Sequence, residues 1–252
     1  KIDNYHDFKA YIKTLYGCFA IVIKKEEYIY MAVDNARSFP LFYNLTNCIV
    51  SDNVQDILSF INDRSLVPDS EQMIDYAYKR NSSPSETVFK EISQLKAGEC
   101  ARLDESGNLL IETYYSHFAL HNKEKQEQTK ELYCAVTKMM KHLINSLPED
   151  SRIIVPLSGG YDSRFLVCLL KSYGFHDVIC YTYGISEDYE VKNSRKVAEA
   201  LGYEWHYITY NRNKWNRFFS SERSDVQEYF LNCSNDCSLP HIQEYLALEE
   251  LF

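Results

Sequence analysis

Residues 153–170 read Ile153-Ile154-Val155-Pro156-Leu157, then Ser158-Gly159-Gly160-Tyr161-Asp162-Ser163, then Arg164-Phe165-Leu166-Val167-Cys168-Leu169-Leu170. A short apolar run, a hexapeptide with two adjacent glycines, and apolar residues at helical spacing predict strand, tight loop and helix in that order. Adjacent glycines let a backbone curl so that several N–H groups converge on an anion at a helix N-terminus. A purely structural turn is the competing reading, because Gly-Gly alone carries little information. The hexapeptide is not a Gly-x-x-x-x-Gly-Lys-Ser/Thr loop, since no lysine follows the glycines, and it is not Gly-x-Gly-x-x-Gly. Nucleotide chemistry of another class is expected.

Outward from the loop, the second half of the chain alternates. Strand 153–157, helix 163–173, strand 178–183, helix 189–201 and strand 205–210 predict a parallel sheet of the α/β class, with the loop at the carboxyl end of its first strand, where such sheets bind ligands. A helical pattern precedes it, carried by Leu132, Val136, Met139, Met140, Leu143 and Leu147 and ended by Pro148. The polar stretch between His117 and Gln128, including His121, Asn122 and Lys123, is the expected domain boundary. Ahead of it the period changes. Short apolar segments at 19–23, 28–33, 41–43, 48–50, 99–103 and 109–115 are broken by Lys24-Lys25-Glu26-Glu27 and Asp104-Glu105-Ser106-Gly107-Asn108, which suits antiparallel hairpins. Helices are expected near 54–60, with Ser51 or Asp52 as N-cap, and 70–78.

Composition limits the partners. The formal charge of −9 over 252 residues argues against a long nucleic-acid groove, although Lys192, Arg195 and Lys196 could meet one phosphate group. No run approaches the roughly 20 apolar residues that span a bilayer, and the first residues carry no apolar leader, so no membrane partner is expected. The eight cysteines contain no Cys-x-x-Cys pair and lie mostly in apolar segments. They are expected to be buried thiols of a protein in a reducing, cytoplasmic compartment. Cys233, Cys237 and His241 are too few for a zinc site.

The hexapeptide resembles the pyrophosphate-binding loop of the N-type ATP pyrophosphatases, which include asparagine, β-lactam, GMP and NAD synthetases and tRNA-thiolating enzymes. The segments that follow, Tyr181-Thr182-Tyr183-Gly184, Glu190, Arg195-Lys196-Val197-Ala198-Glu199-Ala200-Leu201-Gly202 and Trp205-His206, resemble the asparagine synthetase branch in order and spacing. The first half is similar to the latter part of a class II glutamine amidotransferase domain. The residues concerned are Gly17-Cys18-Phe19-Ala20, Asp34 followed by Pro40-Leu41-Phe42-Tyr43, Val50-Ser51-Asp52, Val88-Phe89, Ile92, Leu95, Ala97-Gly98 and Tyr114-Tyr115.

The resemblance implies an α+β part followed by an α/β part. Residues 1–118 would be the end of an Ntn-type antiparallel β-sandwich, and 119–252 the start of a parallel-sheet adenine nucleotide α-hydrolase-like domain. It implies a ligase that adenylates a carboxylic acid with ATP, releases pyrophosphate, and amidates the product with ammonia from glutamine. The ATP-binding residues it implies are Leu157, Ser158, Gly159, Gly160, Tyr161, Asp162, Ser163, Tyr183 and Gly184. The serine hydroxyls and loop amides would hold phosphates, Asp162 would hold Mg2+, and Leu157 with Tyr183-Gly184 would flank adenine. ATP, glutamine or ammonia, and a carboxylic acid acceptor are the implied small-molecule partners, with a homodimer as the assembly left open.

Several features depart from the family. The N-terminal cysteine nucleophile has no counterpart, so no complete catalytic set is expected, and the chain reads as a fragment lacking both domain ends. Arg37 stands where the family has a glycine, so a different local turn is expected. Tyr161 and Arg164 around the loop are similar to asparagine synthetase-like proteins of bacterial surface polysaccharide assembly, which leaves the acceptor acid open. A degenerate nucleotide-binding module is a further alternative. His206 is read as a core or strand-end residue and Arg164 and Lys192 as solvated helix residues, ahead of substrate or phosphate contacts, and none of the three is singled out as catalytic.

Overall fold

A computed structural model of the chain describes residues 2–63, 65–118, 124–220 and 222–252. The boundary expected between 118 and 119, with His121, Asn122 and Lys123, lies outside the described residues. In chain order the elements are α1 (Tyr5–Ile12), β1 (Ala20–Lys25), β2 (Tyr28–Val33), β3 (Phe42–Asn44), β4 (Ile49–Ser51), α2 (Val54–Ile61), α3 (Ser70–Lys79) and β5 (Ser93–Gln94). There follow β6 (Glu99–Asp104), β7 (Leu109–Thr113), α4 (Lys125–Ser146), β8 (Ile153–Pro156), α5 (Tyr161–Ser172), β9 (Val178–Gly184) and α6 (Tyr189–Leu201). The last are β10 (Glu204–Thr209), α7 (Arg212–Phe218), α8 (Ser224–Ser234) and α9 (Ile242–Leu251). Two compact units result: Lys1–Ala119 with Arg223–Pro240, and Leu120–Glu222 with His241–Phe252.

The first unit holds two antiparallel sheets, ordered β1-β2-β6-β7 and β4-β3-β5. Side chains alternate across a strand, and the partners of each face follow from that period. Met31 and Val33 share a core with Ala101 and Leu103 of the same sheet and with Leu41, Tyr43 and Leu95, so the sheets meet face to face. Tyr30 and Ala32 point the other way, onto Phe8 and Ile12 of α1. Phe42, next to Tyr43, turns to Val54 and Ile57 of α2 with Val88, Phe89 and Ile92. The order of layers is therefore α1, sheet, sheet, α2. The helix α2 is capped by Asn53, whose side chain accepts the Gln55 N–H at 2.8 Å, and not by Ser51 or Asp52. Ser51 instead receives the Asn53 N–H, and the cap lies one or two residues later than expected although the helix begins at Val54 as the pattern suggests.

Some of the residues quoted for the amidotransferase resemblance, Phe19 and Gly98, meet at Asp34. Its buried carboxylate accepts the N–H groups of Phe19, Ala36 and Ser38 and the Ser38 hydroxyl, at 2.9–3.1 Å. Its carbonyl receives the N–H groups of Arg37 and Gly98, and the Gly98 carbonyl receives those of Tyr114 and Tyr115. Burial alone would raise the Asp34 pKa, but the three backbone N–H groups and Ser38 outweigh it and hold the pKa below the usual carboxylate range. A depressed folded pKa contributes stability above the unfolded value of about 4, and the contribution is lost as pH falls through the folded pKa. In Asp34→Asn one amide N–H2 must face a backbone N–H. The expected cost is about 2 kcal/mol at pH 7, shrinking below about pH 4, as read from urea midpoints across pH.

Arg37 does adopt the left-handed conformation its side chain disfavours, at φ +55. Its guanidinium reaches the Pro84 carbonyl at 2.8 Å and the Leu95 carbonyl at 3.4 Å, which offsets the backbone strain. Arg37→Ala keeps the strain and loses both bonds, whereas Arg37→Gly loses the bonds and relieves the strain. The glycine variant is expected to be more stable than the alanine variant by about 1 kcal/mol in urea denaturation.

In the second unit β8, β9 and β10 form a parallel sheet in the order β10-β9-β8. Val155, Leu157, Val178 and Cys180 pack with Val167 and Leu170 of α5, Ala198 of α6 and Met140 of α4. The strand and helix limits lie within two residues of those expected. On α4 the apolar face is only partly used: Met140 is fully buried and Val136 and Ile144 pack beside it, but Leu132, Met139 and Leu143 are exposed. One narrow stripe suffices to contact the sheet. The expected burial of the thiols is also corrected. Cys100 and Cys180 are buried, whereas Cys18, Cys134, Cys168 and Cys233 are exposed and Cys48 and Cys237 half-buried, because apolar neighbours in sequence fix the strand or helix but not the face.

Candidate functional site

The loop leaves β8 at its carboxyl end, as the alternating pattern predicts. The Leu157 N–H still bonds the Tyr181 carbonyl at 2.8 Å, so sheet pairing extends to the residue before Ser158. The chain then turns on its own serines. The Ser163 hydroxyl receives the Ser158 N–H at 3.0 Å and lies 3.0 Å from the Ser158 hydroxyl, which in turn receives the Gly160 N–H at 3.1 Å. Gly160 caps α5 with φ −74, and no side chain caps the helix. The first N–H groups of an α-helix have no intrahelical partner, so those opening α5 point out of its end without a side-chain acceptor.

The left-handed freedom of glycine is not what this loop draws on. Neither residue has positive φ. At Gly159 it is space that matters: a Cβ there would lie 3.0 Å from both Cα and Cγ of Glu190, in the first turn of α6. The Gly159 N–H donates to Glu190 Oε1 at 3.3 Å. The amides of Ser158, Gly159 and Gly160, expected to converge on an open anion cradle, are thus engaged by Ser163, Glu190 and Ser158.

A cavity of about 250 Å3 adjoins the loop, lined by Pro156, Leu157, Ser158, Tyr181, Thr182, Tyr183 and Glu190. Of the expected site residues, Leu157, Ser158 and Tyr183 line it. The Leu157 side chain belongs to the core, so this residue offers a floor and not a free flank. Tyr183 is held by stacking on Tyr210, with ring centroids 5.2 Å apart, and the Tyr210 hydroxyl donates to the Gln243 carbonyl of α9. The Gly184 carbonyl is taken up by the Tyr210 N–H and the Tyr207 hydroxyl, and Gly184 is not part of the lining. Gly159, Gly160, Tyr161, Asp162 and Ser163 continue from Ser158 into α5 and are likewise not part of it.

Asp162 is exposed on the first turn of α5, and its side chain has no hydrogen bond or ion pair among the described residues. Arg164 does not face solvent freely: its Nε donates to the Gly160 carbonyl at 2.7 Å and its guanidinium lies 4.7 Å from the Tyr161 ring centre. Lys192 is exposed, and His206 bonds Glu204 at 2.7 Å on β10. Burial, with Glu244 and Tyr183 adding to it, pushes the Tyr181 phenol up to about 12, and burial likewise raises Tyr183. Both phenols are neutral hydrogen-bonding groups at physiological pH.

Sequence reasoning missed Glu190 and Thr182 as site residues. Thr182 is buried, with its hydroxyl 2.7 Å from both the Leu157 carbonyl and the Ser194 hydroxyl while receiving the Trp205 indole N–H at 3.1 Å. It ties the base of the loop to α6 and β10. The strand–helix alternation held the signal for Glu190, since successive helices of a parallel sheet start at the same sheet edge. Among the described residues no group of three or more His, Cys, Asp or Glu is placed to hold a metal, and no helix is long and apolar enough to cross a membrane.

Residues 144–218 match the family model described as asparagine synthase, a segment running from the end of α4 through α7 and including the loop. No curated protein matches the chain. Among solved structures, the ammonia-dependent NAD synthetase of Campylobacter jejuni in complex with nitrate is similar at 16% identity over 51% of this chain, with TM-score 0.28. The chain spans 49% of that structure.

Proposed function

We propose that the second unit binds ATP and activates a carboxylic acid for amidation, in the manner of the asparagine synthetases it resembles. The asparagine synthase match over the β8–loop–α5 segment carries this reading, supported by a cavity at the carboxyl ends of β8 and β9. An acceptor carboxylate oxygen would attack the α-phosphorus of ATP, forming an acyl-adenylate as the bond to pyrophosphate breaks. Ammonia would then attack the acyl carbon, and AMP would leave with the bonding pair. The open amides at the start of α5 would meet phosphate oxygens, and the stacked Tyr183 would offer a face to the base.

Magnesium suits the chemistry of the donors present, because Asp162 is an exposed carboxylate with no side-chain partner among the described residues and Glu190, on the cavity lining, is another carboxylate. Asp162 would hold the ion, which neutralises phosphate charge when bound. The layered first unit, with Phe19 and Gly98 bonded to Asp34 and Tyr114 and Tyr115 bonded to Gly98, supports an amidotransferase-like role for residues 1–118, with glutamine as the ammonia source. The part starting at 119 would be the synthetase-like one.

Incubation with ATP, Mg2+, ammonia and a panel of carboxylic acids, scored for AMP and pyrophosphate, tests the chemistry. Aspartate-dependent release supports asparagine formation, and release with another acid alone moves the acceptor to that acid. The engagement of three loop amides by protein groups favours a second reading, a nucleotide-binding module without turnover. ATP binding with no release for any acid would select it.

A further inference from the structure

We propose that Glu190 is a carboxylate latch on the loop, which competes with an incoming phosphate for the Gly159 amide and confines the cavity to metal-loaded nucleotide. This presupposes the nucleotide assignment of the loop. Three observations lead to it. The Gly159 N–H, flanked by the two serine-bonded amides, has Glu190 Oε1 as its acceptor. The first turn of α6 is brought onto the loop by close packing, with Cα of Glu190 where a Cβ at position 159 would press, so the contact is a built feature of the βαβαβ unit. The side-chain origin is also pinned, because Asp188 caps α6 by accepting the N–H groups of Glu190 and Val191 at 2.9 and 3.1 Å.

The electrostatic consequence follows from the lining. Pro156, Leu157, Ser158, Tyr181, Thr182 and Tyr183 carry no charge at neutral pH, and Glu190 is the one ionised side chain among the lining residues described. A triphosphate that takes the Gly159 amide without a cation must displace the carboxylate there and then lie beside it. Two like charges a few ångström apart repel in any solvent, and a divalent cation reverses the sign of that interaction by giving the carboxylate an opposite charge to face. The exposed Gly159 contact is long enough to break at small cost, which a latch requires. Glu190 is thus a specificity-determining residue for the charge state of the nucleotide.

The test is ATP titration by calorimetry, in EDTA and in Mg2+, on the full chain and on Glu190→Gln. Glu199→Gln, which removes a charge from the same helix where Glu199 pairs with Arg195, is the control. Glu190→Gln is expected to bind metal-free ATP roughly tenfold more tightly than the parent, and to gain less from Mg2+. Glu199→Gln is expected to leave both affinities unchanged. Equal binding of metal-free ATP by parent and Glu190→Gln overturns the latch and leaves the nucleotide assignment standing. An equal gain in Glu199→Gln also overturns it, by showing a general charge effect. Absence of ATP binding in both the parent and Glu190→Gln, with circular dichroism unchanged, overturns the latch and the nucleotide assignment together.

Discussion

Gly98→Ala is expected to destabilise the first unit by about 3 kcal/mol or more, through two costs that add. Gly98 sits at φ +71, where an L-residue carries backbone strain. A Cβ there would also fall inside van der Waals contact of the Tyr115 carbonyl oxygen and 3.2 Å from its carbon. That obstacle is main chain and cannot swing aside. The Gly98 carbonyl receives the Tyr114 and Tyr115 N–H groups, and the Gly98 N–H binds the Asp34 carbonyl, so any shift is passed to the turn at Asp34. Gly174→Ala provides the comparison, since Gly174 has φ +77 but nothing within 4 Å of its Cβ position. It should cost only the backbone share, about 1 kcal/mol. Urea midpoints followed by circular dichroism separate the two variants, and equal losses would show that the contact with Tyr115 contributes nothing.

Asp162→Ala is expected to lower pyrophosphate release by roughly 100-fold or more, and to weaken ATP binding in Mg2+ far more than in EDTA. Asp162→Asn should behave alike, because the amide preserves size and removes the charge that would attract the cation. Stability should barely change. The Asp162 side chain makes no hydrogen bond or ion pair among the described residues, so only its interaction with the N-terminal end of α5 is lost, worth about 0.3–1 kcal/mol. A large functional loss with a small stability loss is the signature of a residue that works on the ligand. Unchanged release and binding would remove Asp162 from the site.

Much of the second unit was legible from local pattern. The limits of β8, α5, β9, α6 and β10 followed from apolar runs and the glycine pair, each encoded within a few neighbouring residues. The hairpins of the first unit were readable for the same reason. The helix α1, the two-residue strand β5, and α7 to α9 were not anticipated: a two-residue strand has too few side chains to show alternation, and a helix of seven residues shows barely two turns of its period.

The chain of residues alone determined the strands and helices from β8 to β10 and the hairpins of the first unit, and that a glycine-rich turn joins β8 to α5 at the carboxyl edge of the sheet. Tertiary structure decided what that turn touches. Glycine is demanded at 159 by a residue 31 positions away, Gly98 by Tyr115, and the faces on which cysteines and α4 leucines lie by the neighbouring layer. The physical reason is range: propensity, capping and periodicity act between neighbours along the chain, whereas close approach of backbones and competition for one amide exist only after sheet pairing has brought distant segments together.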